Sequence, residues 1–252
     1  MKGRFVGGAR CRLNLFATAL LLFGSSAWAH RPFDGTDAAV ADQGELELEI
    51  GVGRTRTGNV RSVAMPSMVV TYGLAASTEI GLEGQFNHAS RPLSDGARDS
   101  LGDTELSMKH VFVDGSLQDG SGASVAAECA VLLPEIHGSS GTGGTCAALI
   151  SNRWDAVTAH LNLELGRTRE HAAARAADLI VEGPEKWALK PVAELVAESD
   201  HGGDQLRSVL VGAIYQHSEE LAFDIGLRRA RTNDGTFGEV RLGLTWSLGV
   251  AK

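Results

Sequence analysis

Between residues 45 and 53 the chain reads Glu-Leu-Glu-Leu-Glu-Ile-Gly-Val-Gly, with an aliphatic side chain at every even position and Glu or Gly at every odd one. A strand has a side-chain period of two, so this pattern predicts a ribbon with one apolar and one acidic face. The far end of the chain repeats it. Val240, Leu242, Leu244, Trp246 and Leu248 alternate with Glu239, Arg241, Gly243, Thr245 and Ser247. Similar ribbons fill the space between, near 65–74, 77–87, 103–113, 123–133, 144–152, 157–165, 187–198, 206–216 and 221–229.

Two places resist the pattern. Residues 170–182 are rich in Ala and other good helix formers and alternate little. They are assigned to an eighth strand because bacterial single-chain barrels have even strand counts. Pro191 falls inside the ninth ribbon and cannot donate a ladder hydrogen bond, which predicts a bulge or a later strand start. Residues 30–44 show no period and read as a periplasmic leader or as a segment tucked into the barrel. The expected fold is all-β, a twelve-stranded up-and-down antiparallel transmembrane β-barrel of the bacterial outer-membrane type. Its aliphatic face meets lipid and its charged face lines a lumen. Period two alone does not say which face is inside, so a water-soluble barrel or sandwich with its aliphatics inward is the alternative.

With both termini on the periplasmic side, the connections at 75–76, 114–121, 152–155, 183–186 and 217–220 are periplasmic. The opposite set includes polar loops at 54–61 and 88–100, the latter expected to be the longest. Tyr72, Phe112, Trp187, Tyr215 and Trp246 fall at the predicted periplasmic ends of strands, with Trp154 in a turn there and Phe86 and Phe237 toward the other end. Aromatic rings gather at membrane–water interfaces because they are apolar bodies with a polar edge.

Residues 1–29 have the form of a secretory signal: basic Lys2, Arg4, Arg10 and Arg12, an apolar run from Leu13 to Phe23, and Ala27-Trp28-Ala29 as the cleavage site. The run is shorter than the ~18 residues a spanning helix needs. The formal net charge is −8 for the whole chain, and the signal region contains bases but no acid, so the exported part is more acidic still. That argues against nucleic acid as a partner and leaves the lipid bilayer as the expected one. Cys129 and Cys146 flank the loop 134–143 almost symmetrically in a compartment where disulfides persist. They are either bridged across a hairpin or two free apolar side chains.

Assigning the polar face inward puts Glu45, Glu47, Glu49, Glu79, Glu83, Glu105, Lys109, His160, Glu164, Glu194, Arg228 and Arg241 along the lumen. The first three strands carry five inward glutamates and no inward base, a wall left unpaired unless Arg31 or another leader residue folds against it. Arg228 with Glu239 and Arg241 with Asp224 are expected cross-strand pairs. No phosphate-binding loop, zinc-protease motif or nucleophile elbow is present, and no cofactor or metal is called for. His160 and Ser107 face the lumen, where a polar filler accounts for them better than a hydrolase site. His88, His137, His171 and His201 lie in or beside outer loops, as solvated histidines would.

Two stretches carry a family resemblance. His30-Arg31-Pro32-Phe33 leads through Thr36-Asp37-Ala38 to Gly44-Glu45-Leu46-Glu47, and Leu101-Gly102-Asp103-Thr104-Glu105-Leu106-Ser107-Met108-Lys109-His110 follows later. Both resemble outer-membrane proteins of the phenol-degradation MetA-pathway family, and the closing Gly243-Leu244-Thr245-Trp246-Ser247 is similar too. The resemblance implies an outer-membrane barrel proposed as a transporter, with no settled substrate and no catalytic residues. The functional expectation is a passive channel or transporter for small molecules. The alternatives are a closed structural or surface-interaction barrel and, behind it, a barrel hydrolase.

Overall fold

The computed structural model describes residues 31–58, 60–92 and 96–249; the expected signal segment lies outside the described residues. Twelve strands follow in chain order: β1 (Glu45–Thr57), β2 (Val60–Ala75), β3 (Thr78–Ala89), β4 (Asp99–Val113), β5 (Ser124–Leu132), β6 (Gly143–Arg153), β7 (Thr158–Arg167), β8 (Ala173–Glu182), β9 (Leu189–Asp200), β10 (Gln205–Gln216), β11 (Leu221–Thr232) and β12 (Gly235–Gly249). Each pairs antiparallel with its sequence neighbours, and β1 pairs with β12 to close the barrel. The two ribbons of cleanest alternation make that closing seam, with Glu45 opposite Gly249 and Gly53 opposite Arg241. Closure removes both sheet edges, so every strand finds two partners.

The faces sort by parity. Leu106, Met108, Leu163, Leu195, Val211, Ile225 and Leu242 stand exposed on the outside, while Glu45, Glu47, Glu49, Thr71, Glu79, Asn162 and Thr245 are buried inside. An outward band so rich in aliphatics is an apolar girdle, the arrangement that suits lipid and not water. Tyr72, Phe112, Trp154, Trp187, Tyr215 and Trp246 are exposed at the end where β1 begins and β12 ends, hereafter the proximal end. Phe86 is exposed toward the distal end. Phe237 departs from the expectation: it turns inward, lines the lumen and lies 5.9 Å from the Arg228 guanidinium carbon.

Two local expectations are corrected. The polar stretch 54–61 is not a loop, because β1 runs on past the apolar band to Thr57 and β2 begins at Val60. The connection at 90–98 is not the longest: 133–142 and 114–123 are each a residue longer, and the latter carries one 3₁₀ turn, Ser116–Gln118. Of the two outcomes expected at Pro191, the later strand start is the one observed and no bulge forms. The strand begins at Leu189, Pro191 pairs toward β10 with Ala213, and the ladder to β8 starts only at Val192, so its missing amide hydrogen removes no rung. The Ala-rich run does form a strand, from Ala173, since ladders on both sides outweigh a preference of a few tenths of a kcal/mol per residue.

Candidate functional site

Residues 31–44 lie inside the barrel and circle its wall. From β1 the chain turns back at Gly44, whose N–H donates to Gly73 O at 2.8 Å. Gly73 has to be glycine here, because a Cβ would overlap the backbone of Asp42. Ala41 N–H donates to Glu79 Oε2 of β3 at 2.6 Å. Ala38 N–H donates to Ser151 Oγ of β6 at 2.9 Å, and Gln118 Nε2 donates to Ala38 O. Asn162 of β7 reads Thr36 from both sides, accepting from its N–H at 2.7 Å and donating to its carbonyl at 2.8 Å. The N–H groups of Asp34 and Gly35 donate to Glu194 Oε1 of β9 at 2.8 and 2.9 Å. Asp34 pairs with Arg228 and, at 2.7 Å, with Arg241. Arg31 ends the circuit, 3.6 Å from Asp224 of β11 and donating to Ser67 Oγ of β2 at 3.3 Å.

Side chains on the segment explain why part of the inward face is apolar. Phe33 packs on Val192, Ile214 and Ala222. Ala38 and Ala39 bury themselves among Val111, Leu117, Ala126 and Leu149. Without the segment these aliphatics would face water inside the barrel. Buried apolar area contributes roughly 25 cal/mol per Å², so the contacts favour the docked segment. The hydrogen bonds matter more for position: each backbone N–H named above meets a wall acceptor, and a buried donor left unmet costs about 1–3 kcal/mol.

The lumen thereby divides. On the distal side of the segment lies a cavity of about 620 Å³, bordered by residues 31–36, and on the proximal side one of about 350 Å³, bordered by Asp37 and 39–42. Glu49, Glu83, Glu105, Glu164, Arg228 and Arg241 line the larger cavity; Glu45 and Glu47 line the smaller, and Glu79 touches both. Lys109, His160 and Glu194 point inward and are buried in the wall. Every candidate lumen residue thus faces the interior, but they do not form one site.

Their charges are arranged unevenly. Lys109 is fully buried between Glu79 Oε1 and Thr36 Oγ1, both at 2.9 Å. Arg228 lies 3.8 Å from Glu239, so that pair forms across β11 and β12. Arg241 pairs with Glu239 and Asp34 and not with Asp224, which takes Arg31 instead. The guanidinium of Arg31 fills the space over Gly51, where a Cβ would clash with it. On the opposite wall Glu83, Glu105, Glu128, Glu164, Asp178 and Glu198 border the distal cavity, and among the described residues none has a Lys or Arg within ion-pair distance. Arg169 reaches the same rim, yet it donates to Leu133 O and Thr104 O, each at 2.8 Å, and pairs with Glu135 at 3.4 Å.

Ser107 is not joined to His160. The ring of His160 meets Ser151 Oγ at 2.8 Å through Nδ1 and Glu182 at 3.4 Å through Nε2, a serine–histidine–carboxylate chain that the sequence did not single out. Ser151 is wholly buried and already accepts from Ala38, and neither it nor His160 borders a cavity. A nucleophile needs room for the carbon it attacks, so this chain is a buried polar network in the wall. Cys129 and Cys146 sit directly opposite on β5 and β6, bonded at 2.10 Å, with both side chains on the outer face and away from the lumen. Among the described residues no three His, Cys, Asp or Glu side chains are placed to hold a metal ion.

A closed barrel of twelve antiparallel strands with an apolar exterior and a charged interior is an outer-membrane type of fold. Solved structures agree on it. An outer membrane channel from Pseudomonas putida F1 superposes with a TM-score of 0.64 at 10% identity, covering 86% of this chain and all of that one. The NanC porin gives 0.58 at 8% identity over 80% of this chain and all of its own, and the KdgM porin 0.53 at 13% over 79% and 99%. No family model matches the sequence, and no curated protein matches it.

Proposed function

We propose that the protein is a passive, cation-preferring channel for small solutes in the bacterial outer membrane, narrowed by residues 31–42, with its proximal end in the periplasm. The observation that carries this reading is the distal cavity, walled on one side by six carboxylates that, among the described residues, have no base within ion-pair distance. An acidic lining lowers the energy of a cation there and raises that of an anion. The known channels and porins of the same fold support a conducting role by analogy only. We also read the chain as a relative of the MetA-pathway family. Two of the stretches that carry the resemblance touch inside the lumen, where Lys109 donates to Thr36.

A second reading, a closed barrel without transport, is favoured by the segment itself, which bonds to β3, β6, β7, β9, β11 and β12. Planar-bilayer recording separates the two. Single-channel steps with a cation-favouring reversal potential support the channel. A silent bilayer, together with no solute uptake in liposome swelling, supports the closed barrel.

A further inference from the structure

The outer ends of β10, β11, β1 and β2 carry six arginines on the outside of the barrel: Arg207, Arg229, Arg231, Arg54, Arg56 and Arg61. All six are exposed. Their register makes one patch of them. Arg61 lies opposite Arg56, Arg56 opposite Gly238 of β12, and Gly238 opposite Arg229. Arg207 lies opposite Arg231 one row further out. Adjacent strands are ~4.8 Å apart, so the patch is about 20 Å wide from β2 to β10. Arg56 and Arg229 flank Gly238, beside which a Cβ would meet only one backbone atom, at 3.8 Å, so the centre of the patch is an open bay.

Like charges directly opposite on neighbouring strands destabilise a sheet, and here two such pairs, Arg56 with Arg61 and Arg207 with Arg231, stand together. These five strands place no Asp or Glu on the outer face among the described residues; Asp204 and Asp234 lie in the turns just beyond. Among the described residues none of the six guanidiniums pairs with a carboxylate. Strands β3 to β6 have no arginine on their outer halves, and β7 and β8 carry one each there, Arg167 and Arg175, so six on neighbouring strands are a concentration. Directly below the patch the same strands present Leu227, Val209, Val211, Val240 and Leu242, all exposed.

We infer that this face docks a phosphorylated glycolipid of the outer leaflet. Its phosphates would sit among the arginines and its acyl chains along the aliphatic rows beneath. Guanidinium forks bind phosphate oxygens two at a time, which converts the repelling pairs into chelating ones. The aliphatic rows below distinguish a lipid from a free phosphate, because an amphiphile satisfies both halves of the surface at once. The inference rests on the proposed orientation, which puts the distal end at the cell surface.

The test uses the intact barrel purified in detergent and exposed to three probes: a bisphosphorylated glycolipid, the same glycolipid with its phosphates removed, and phosphatidylglycerol. Retained lipid is counted by native mass spectrometry. The parent should retain the bisphosphorylated form in preference to both others. In a Arg207→Gln, Arg229→Gln, Arg231→Gln variant that still runs as a folded barrel, that retention should fall by roughly tenfold or more. Equal retention of the three probes, or no loss in the variant, overturns the inference. Orientation is read separately by labelling Asp234→Cys in intact cells with an impermeant maleimide. Labelling without phosphate preference fails the inference alone, and absence of labelling overturns both it and the orientation on which it rests.

Discussion

The two halves of the lumen are built from the same alternating strands and are not alike. In the proximal half, residues 31–42 meet the wall at almost every level, and Lys109, Glu79, Thr36, Ser151 and His160 form bonded sets with little water access. In the distal half the carboxylates of β3, β4, β5, β7, β8 and β9 face a cavity and, among the described residues, have no base within ion-pair distance. The difference teaches that the inward face of a barrel is not a property of its strands alone. A short segment without any period decides which part of the lumen is packed like a protein interior and which remains a cavity lined by carboxylates.

The largest effect should come from breaking the packed half. Lys109→Met leaves Glu79 buried without its cation, and orphaning one member of a buried pair costs about 3–5 kcal/mol. The urea midpoint of the folded barrel should fall markedly, and residues 31–42 should become accessible to protease. An unchanged midpoint would mean the segment contributes little to the fold. A smaller effect is expected where the segment borders the open half. Asp34→Asn removes the charge that Arg228 and Arg241 share, a loss of about 1–3 kcal/mol for partly exposed charge-assisted bonds. It should raise single-channel conductance and shift selectivity toward anions, since the two guanidiniums then share Glu239 alone; a shift toward cations would contradict the assignment. The smallest effect on the lumen should come from the outer face. Thiol alkylation should find Cys129 and Cys146 unreactive until reduced, and reduction should leave conductance unchanged because the bridge faces away from the path.

Much of the barrel was legible because a period of two is a local signal. Glu45–Gly53 and Val240–Leu248 gave both the faces and the strands that seal the barrel. The inward placement of the glutamates followed from parity. What the sequence left open was the placement of residues 31–42, readable as a leader or as a segment inside the barrel, because many of their wall contacts join residues more than a hundred positions apart and leave no periodic trace. One clue was present: β10 reads Val209-Leu210-Val211 and goes on to Ile214, apolar on both parities. A strand apolar on both faces is covered on both, as buried strands are. The cross-strand pairing of Arg241 with Asp224 failed for the same reason, because Asp34 and Arg31 came from outside the ladder to take one partner each.

The claim that the distal half sets selectivity is tested most directly by reversal potentials in a salt gradient across a planar bilayer. The parent should prefer cations at neutral pH, and the preference should fade as pH drops through the carboxylate range, because protonation removes the negative charge that attracts them. Replacing Glu83, Glu105 and Glu164 together by Gln should abolish most of the preference, whereas replacing Glu47 in the packed half should change it far less. Anion preference in the parent, or a triple variant indistinguishable from it, would contradict the account.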